Sequence, residues 1–471
     1  HSCPRLQPGE PVTARDGRAI ATVVFVLVLA FSPSAPAQEI VMGGEAALQP
    51  SLTLSPRLFE LAHPRLRSQL TTITSVYAEN IELRASATLW HEITPPTVDE
   101  LEATGVESLE TTGVALDQLR LRLTPAPWAV VELGRFRHTV GRAFLLSPND
   151  TYTSVSFDAI VRGDFDAAGS AQTLATATAF FGPASITLVA LPVPAVPQLV
   201  EPGSLWIPRL PVDEVIDDPR ISPDPVTLND IFAEPTRRID EVWERVSGGA
   251  HAGVFLGPID VSLYYYHGVD PAPVPRARID FPNAPIDSYD LYVAPEEAVI
   301  DSFGLAAEGV AGSSTLWLDA SFVPNKTLAT TTISQYSKRS RLETAPTLTA
   351  VGGASYRAGG PDLLLVGEYY FGHSFLPDDV AAEDVVVSPL VNDLLLSANL
   401  RLGGRSQWAL ALAGLVSFDD GGAVLSASVE WKPTTNVRSA LRAPVFLGPA
   451  DSDFGQYSDI VHVVSEIRVL F

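Results

Sequence analysis

The feature that most constrains this 471-residue chain is an inequality between the two ends of its strand pairs. Seven pairs of alternating apolar and polar segments meet at bends of a few residues: Ala115–Arg137, Gln172–Leu191, Gly249–His267, Asp301–Phe322, Thr347–Phe371, Asn392–Ser417 and Ala423–Leu447. Gly, Pro and Asn sit at the bends, as at Gly182-Pro183, Gly257-Pro258 and Asn436, and the arms alternate with period two. Those are hairpin signals. The connections between hairpins are longer and more polar: Pro95–Gly113, His138–Ala171, Pro192–Gly248, Gly268–Ile300, Val323–Pro346, Gly372–Val391 and Gly448–Ser458. Only Phe418–Gly422 is tight. Short turns at one end and long loops at the other are the layout of a transmembrane antiparallel β-barrel, with turns toward the periplasm and loops outside.

Seven hairpins supply fourteen strands. Asn80–Ile93 must rise before the first and Ile460–Phe471 must descend after the last, which gives about 16 strands with both ends on the turn side. A further pair upstream, Arg65–Val76 with a segment near Leu52–Leu61, would make 18. The last strand places Val461, Val463, Ile467, Val469 and Phe471 on one face and His462, Glu466 and Arg468 on the other. A long strand left unpaired invites aggregation. It is therefore expected to close the ring against the first strand, with Phe471 as the aromatic assembly signal.

At the other end, Arg15 and Arg18 precede the apolar run Ala19–Phe31, and Ala35 and Ala37 form a small-residue cleavage site. This pattern predicts a secretory signal peptide over 1–37. Residues 38–79 are expected to be a periplasmic segment or the extra strand pair, and 80–471 the barrel. The one cysteine, Cys3, lies in the leader, so no disulfide is expected in the mature protein.

Composition narrows the partners. The chain carries −24; Arg5, Arg15 and Arg18 against Glu10 and Asp16 leave the leader at +1 and the remainder near −25. Such a charge argues against nucleic acid, whose phosphates need Lys and Arg. With 46% hydrophobic residues spread in short bursts, disorder is not expected. The seven mature histidines, His63, His91, His138, His251, His267, His373 and His462, show no HExxH spacing, and no G-x-S-x-G elbow or Gly-rich phosphate loop occurs. Neither an enzyme, a metal site nor a cofactor is indicated.

Lipid demands an apolar outer face, which assigns the polar phase of each strand to the lumen. Pore-lining candidates are Arg84, Glu92, Arg120, Arg122, Arg135, Glu368, Arg401, Glu430, Arg438, Arg442 and Arg468, with Glu82, Asp260 and Glu466 on the same phase. Basic and acidic residues nearly balance, which predicts only mild ion preference. Trp128, Trp408 and Trp431 lie near the proposed periplasmic turns, and Trp90, Tyr265, Tyr369 and Phe371 toward the outer ends, as interfacial girdles would.

The excess negative charge concentrates in loops, at Val98–Glu110, Val212–Asp224, Ala294–Asp301 and Asp378–Asp384, where it would form a cation-enriching vestibule. The basic Lys338–Arg341 would meet lipopolysaccharide phosphates. In the longest loop, Leu228–Val246 reads as short helical turns with Asn229 as a cap and Pro235 as a break, and it would either constrict the lumen or lie outside as a lid.

Leu133–Asp150 resembles a motif of proteobacterial outer-membrane porin-like families, including alginate-export and phosphate-selective barrels. Gly134, Arg135, Gly141, Pro148 and Asp150 follow the motif's order, while Val140 stands where tryptophan is usual. The resemblance implies a Gram-negative outer-membrane barrel that passes small hydrophilic solutes passively. Its partners would be outer-membrane lipid, lipopolysaccharide and the barrel-assembly machinery, and a homo-oligomer is compatible. The competing expectation is a closed structural or adhesive barrel whose loops bind a partner.

Overall fold

A computed structural model describes residues 39–54, 63–94, 109–155, 169–193, 227–233, 245–272, 274–280, 288–333, 340–359, 362–378, 380, 385–386, 391–402, 407–450, 452, 454–458 and 460–471. The proposed signal peptide, the acidic loop at Val212–Asp224 and most of Pro192–Gly248 lie outside the described residues.

Eighteen antiparallel strands close into one ring. They are β1 Glu39–Leu54, β2 His63–Ala78, β3 Ile81–Thr94, β4 Leu109–Ala126, β5 Ala129–Phe136 and β6 Gln172–Phe181. Next come β7 Ala184–Leu191, β8 Ser247–Leu256, β9 Ile259–Val269, β10 Val299–Ala311, β11 Ser314–Ile333 and β12 Ser340–Ala358. The last six are β13 Asp362–Ser374, β14 Asp393–Leu402, β15 Trp408–Ser417, β16 Ala423–Trp431, β17 Val437–Leu447 and β18 Val461–Leu470. All seven expected hairpins form, from β4–β5 to β16–β17.

The larger strand count is the observed one. The ring closes through β1, which starts at Glu39 and pairs with both β2 and β18. The expected closing partner, Asn80–Ile93, lies instead in β3, two strands in from the seam. Gly43, Gly44 and Pro50 make β1 a poor strand by propensity, and pairing on both sides overrides that weakness. Phe471 finishes the seam: its N–H donates to the Gly44 carbonyl at 3.0 Å, and the Gly44 N–H donates to its carbonyl at 2.9 Å. A Cβ on Gly44 would stand 2.8 Å from the Phe471 ring, so the glycine makes room for the terminal aromatic.

The alternation predicted from sequence sorts the faces. Leu188, Leu263, Leu316, Leu396 and Leu412 are exposed on the outer phase, where a bilayer would cover them. Trp408 and Trp431 oppose each other on β15 and β16 and stack with centroids 5.7 Å apart, beside the exposed turn-side ends of their strands. Tyr265, Tyr369 and Phe371 are likewise exposed toward the loop side. Trp90 departs from the expected girdle. It shares the phase of the buried Thr88, faces Gly113 across the ladder, and has the Arg67 guanidinium over its ring at 5.3 Å.

Outside the ring, Thr227–Ala233 pairs parallel with Ser288–Glu296, which pairs antiparallel with Val274–Asp280. This corrects the expectation of helical turns from Leu228. A ladder partner more than fifty residues away satisfies the same backbone groups that a local cap would have served.

Candidate functional site

The lumen is organised by the segment that leaves β5. β5 is only eight residues long, and Gly134 within it sits at φ +124, where a Cβ would collide with the Leu119 carbonyl. From Phe136 the chain turns into the barrel instead of out of it. Phe136, Val140 and Tyr152 are buried against Leu174, Val189, Leu191, Tyr266 and Ile300 of β6, β7, β9 and β10. Gly141, at φ +96, packs so closely on Ser147 and the Asp319 carboxylate that no side chain would fit. Two glycines of the sequence motif therefore have physical causes in the inward path.

Two buried carboxylates hold this segment to the wall. Asp319 of β11, 0% exposed, accepts the backbone N–H groups of Arg142 at 2.6 Å and Ala143 at 2.9 Å. Glu368 of β13, 1% exposed, accepts from the N–H groups of Phe144 at 2.5 Å and Leu145 at 3.3 Å. Glu368 also receives Trp317 Nε1–H at 2.8 Å and Tyr370 O–H at 2.6 Å, so four donors compensate its burial. The Arg142 guanidinium pairs with Asp260 of β9 and Glu308 of β10. Farther on, Asn149 Nδ2 donates to the Leu305 carbonyl at 3.0 Å, and its Oδ1 lies where a side chain on Gly304 would be. Successive backbone N–H groups converging on a carboxylate make the segment a fitted insert rather than a loose loop.

A second segment joins it. Between β17 and β18, Phe454, Tyr457 and Ile460 pack on Leu395, Leu415, Val424 and Phe446, and Ala143 and Leu145 of the first insert touch the same cluster. The two inserts together thus cover inner wall from β6 to β17.

Among the described residues, neither insert packs against the arc from the turn-side half of β17 through the seam to β4. In a ring of eighteen, β2 stands nine strands from β11, diametrically opposite the Asp319 anchor. The sequence-predicted residues gather there. Arg84 and Arg120 face each other across β3 and β4 on the inner phase, with Glu82 opposite Arg122 one pair along. Arg120 pairs with Glu132, and Arg122 lies 3.8 Å from the same carboxylate. Arg438 is directly opposite Arg468, which pairs with Glu466 at 2.5 Å and Glu45 at 3.4 Å. Arg442 shares their phase, and Glu92 lies 4.0 Å from Arg67. Two others fall outside that arc: Glu430 of β16 pairs with Lys432 at 3.1 Å, and Arg401 lies 3.9 Å from Asp362 beside the β14 end.

Glu368 belongs to the other arc, beneath the insert. Arg135 is a correction: its register partners are Leu119 and Thr173, so it falls on the outer phase, between the inward Gly134 and Phe136. Its Nε–H donates to the Leu116 carbonyl at 2.8 Å, beside the β4 bulge that leaves Asp117 unmatched. Sequence reasoning missed Asp319, Glu132 and Glu308, although each sits on the polar phase of a strand legible in the sequence. Arg142 lies in the loop and carries no periodic signal. The segment Pro192–Gly248, expected either to constrict the lumen or to lie outside as a lid, falls largely outside the described residues; among the described ones, His138–Thr153 lies in the lumen.

A closed ring of strands, apolar outside and charged within, satisfies every wall hydrogen bond in a bilayer. The chain is an outer-membrane β-barrel. No family model matches the sequence, and no curated protein does. Among solved structures it is similar to OccK7 (OpdD) of Pseudomonas aeruginosa, 9% identical over 92% of this chain and 99% of that one with a TM-score of 0.47. It is similar also to OmpF of Salmonella typhi in complex with daunomycin, 9% identical over 92% and 97% with a TM-score of 0.42. A mutant of the Rh. blastica porin gives 10% identity over 92% and 100%, with a TM-score of 0.36. None of the three assigns a solute to this chain.

Proposed function

We propose that this barrel is a porin-like channel for passive diffusion of small hydrophilic solutes through the crescent left between the seated insert and the arginine-bearing arc. The observation that carries this reading is the anchoring of Arg142–Leu145 on Asp319 and Glu368, which narrows the lumen from one side and leaves the opposite wall polar. Acids nearly match arginines along the open arc, and several are directly paired, as Glu132 is with Arg120 and Glu466 with Arg468. The expected selectivity is therefore mild. The motif Gly134–Asp150 supports a place among barrels resembling the alginate-export and phosphate-selective groups, without assigning a substrate.

The decisive experiment is planar-bilayer conductance of the refolded protein under a KCl gradient. Discrete steps with a reversal potential near zero are expected. Silence from a barrel shown folded by heat-modifiable gel mobility would overturn the channel. It would favour a closed barrel plugged by its two inserts, with the loops as the working surface.

A further inference from the structure

At the root of the lumenal insert, His138 lies beside His251 of β8 with ring centroids 5.6 Å apart and planes tilted by 35°. His251 faces inward, opposite Thr187 and Tyr264, so the pair bridges the insert to the wall. Tyr152 meets His138 edge-on at 5.7 Å, and Tyr264 tilts over His251 at 5.7 Å. The Nε2 atoms of both histidines are buried without a hydrogen-bond partner. Unsatisfied imidazole nitrogens on two neighbouring rings are a cost that a shared ligand would remove.

We propose that His138 and His251 bind one divalent transition-metal ion of the kind imidazole nitrogen prefers, Cu²⁺, Ni²⁺ or Zn²⁺. A metal–nitrogen bond of about 2.0–2.1 Å puts a ring centroid roughly 3.2 Å from the ion. Two such rings at a tetrahedral to linear angle stand about 5–6.5 Å apart, a range that contains the observed spacing. Among the described residues no third His, Cys, Asp or Glu completes the set, so water fills the remaining positions. The bound ion would tie the start of the insert to β8, far from the carboxylate anchors on β11 and β13. The site does not depend on whether the barrel conducts.

The test is titration of the refolded full barrel with Cu²⁺, read by electron paramagnetic resonance. One copper per chain with hyperfine structure from two imidazole nitrogens is expected in the unaltered protein. His138→Gln and His251→Gln should each lose that two-nitrogen signal, while His373→Gln, exposed and edge-on to Phe375, should keep it. The spectrum of the unaltered protein decides even if a variant fails to fold. No stoichiometric copper, or copper retained by the double variant with its spectrum unchanged, would overturn the site.

Discussion

The two arcs of the lumen carry charge in opposite ways. On β9–β13 the acids Asp260, Glu308, Asp319 and Glu368 are consumed by the insert: two by an arginine side chain, two by backbone N–H groups. On the arc from β17 to β4 the charges face one another across the ladder, and two like pairs, Arg84 with Arg120 and Arg438 with Arg468, stand directly opposite. Like charges opposed on one face destabilise a sheet. Glu132 beside Arg120, and Glu466 with Glu45 beside Arg468, offset that repulsion on the open arc. The acids of β9–β13 seat the insert, whereas on the open arc acids and arginines line the passage together.

The largest break in that contrast should come from Glu368→Ala. It leaves two backbone N–H groups, the Trp317 indole and the Tyr370 hydroxyl without their shared acceptor. Removing a buried, multiply bonded carboxylate costs about 3 kcal/mol or more, spent here on the seat of the insert. Single-channel conductance should rise, and protease should cleave between residues 137 and 155 in an otherwise folded barrel. If both stay at the unaltered level, the carboxylate anchors do not set the constriction.

The seat should also respond to pH. Burial pushes the Asp150 carboxyl from its ordinary 3.8 up to about 7. The folded insert then holds that proton more tightly than a released one does, so stability falls as pH rises. Seating should be firmest below about 4, weaken up to about 7, and level off above it. Asp150→Asn keeps an acceptor for the Tyr152 N–H and should flatten the profile. Cleavage rate of the insert against pH measures this; the same slope in the variant would show that another group titrates.

Much of the barrel is legible in the sequence, and the failures have local causes. Period-two alternation with short turns marks every hairpin from β4 to β17, and it puts Glu368, Glu430 and most of the arginines on the inner phase. β1 escapes because its glycines and Pro50 blur the alternation, and only its two neighbours make it a strand. Arg135 breaks the pattern because it adjoins Gly134, whose positive φ belongs to the turn-in of the insert, and a bulge on the facing strand. The site itself is half legible. Wall carboxylates follow strand phase, but the inward path of His138–Thr153 depends on contacts to strands more than a hundred residues away. Periodicity carries no such information.

Arg142→Ala sharpens the contrast by uncovering Asp260 and Glu308 while the backbone anchors remain. Two freed carboxylates bordering the crescent should move the reversal potential toward K⁺. Their pull on a passing cation is on the order of 1 kcal/mol, roughly a fivefold change in permeability ratio at most. A shift toward Cl⁻ would mean that the insert had left its seat.

The smallest effect should come from the other arc. Arg84→Gln and Arg438→Gln each remove one lumen-facing cation, Arg84 having an Nε without a partner and Arg438 being exposed opposite Arg468. In a wet lumen each is worth only about a few tenths of a kcal/mol, again toward K⁺. Salt separates the two arcs. At 1 M KCl the screening length shrinks to about 3 Å, so the arginine variants should become indistinguishable from the unaltered barrel. Asp260 and Glu308 are partly shielded by the insert and should keep part of their influence in Arg142→Ala. If all three variants lose their shifts together as salt rises, the acids are as open to solvent as the arginines, and the division between a shaping arc and a lining arc fails.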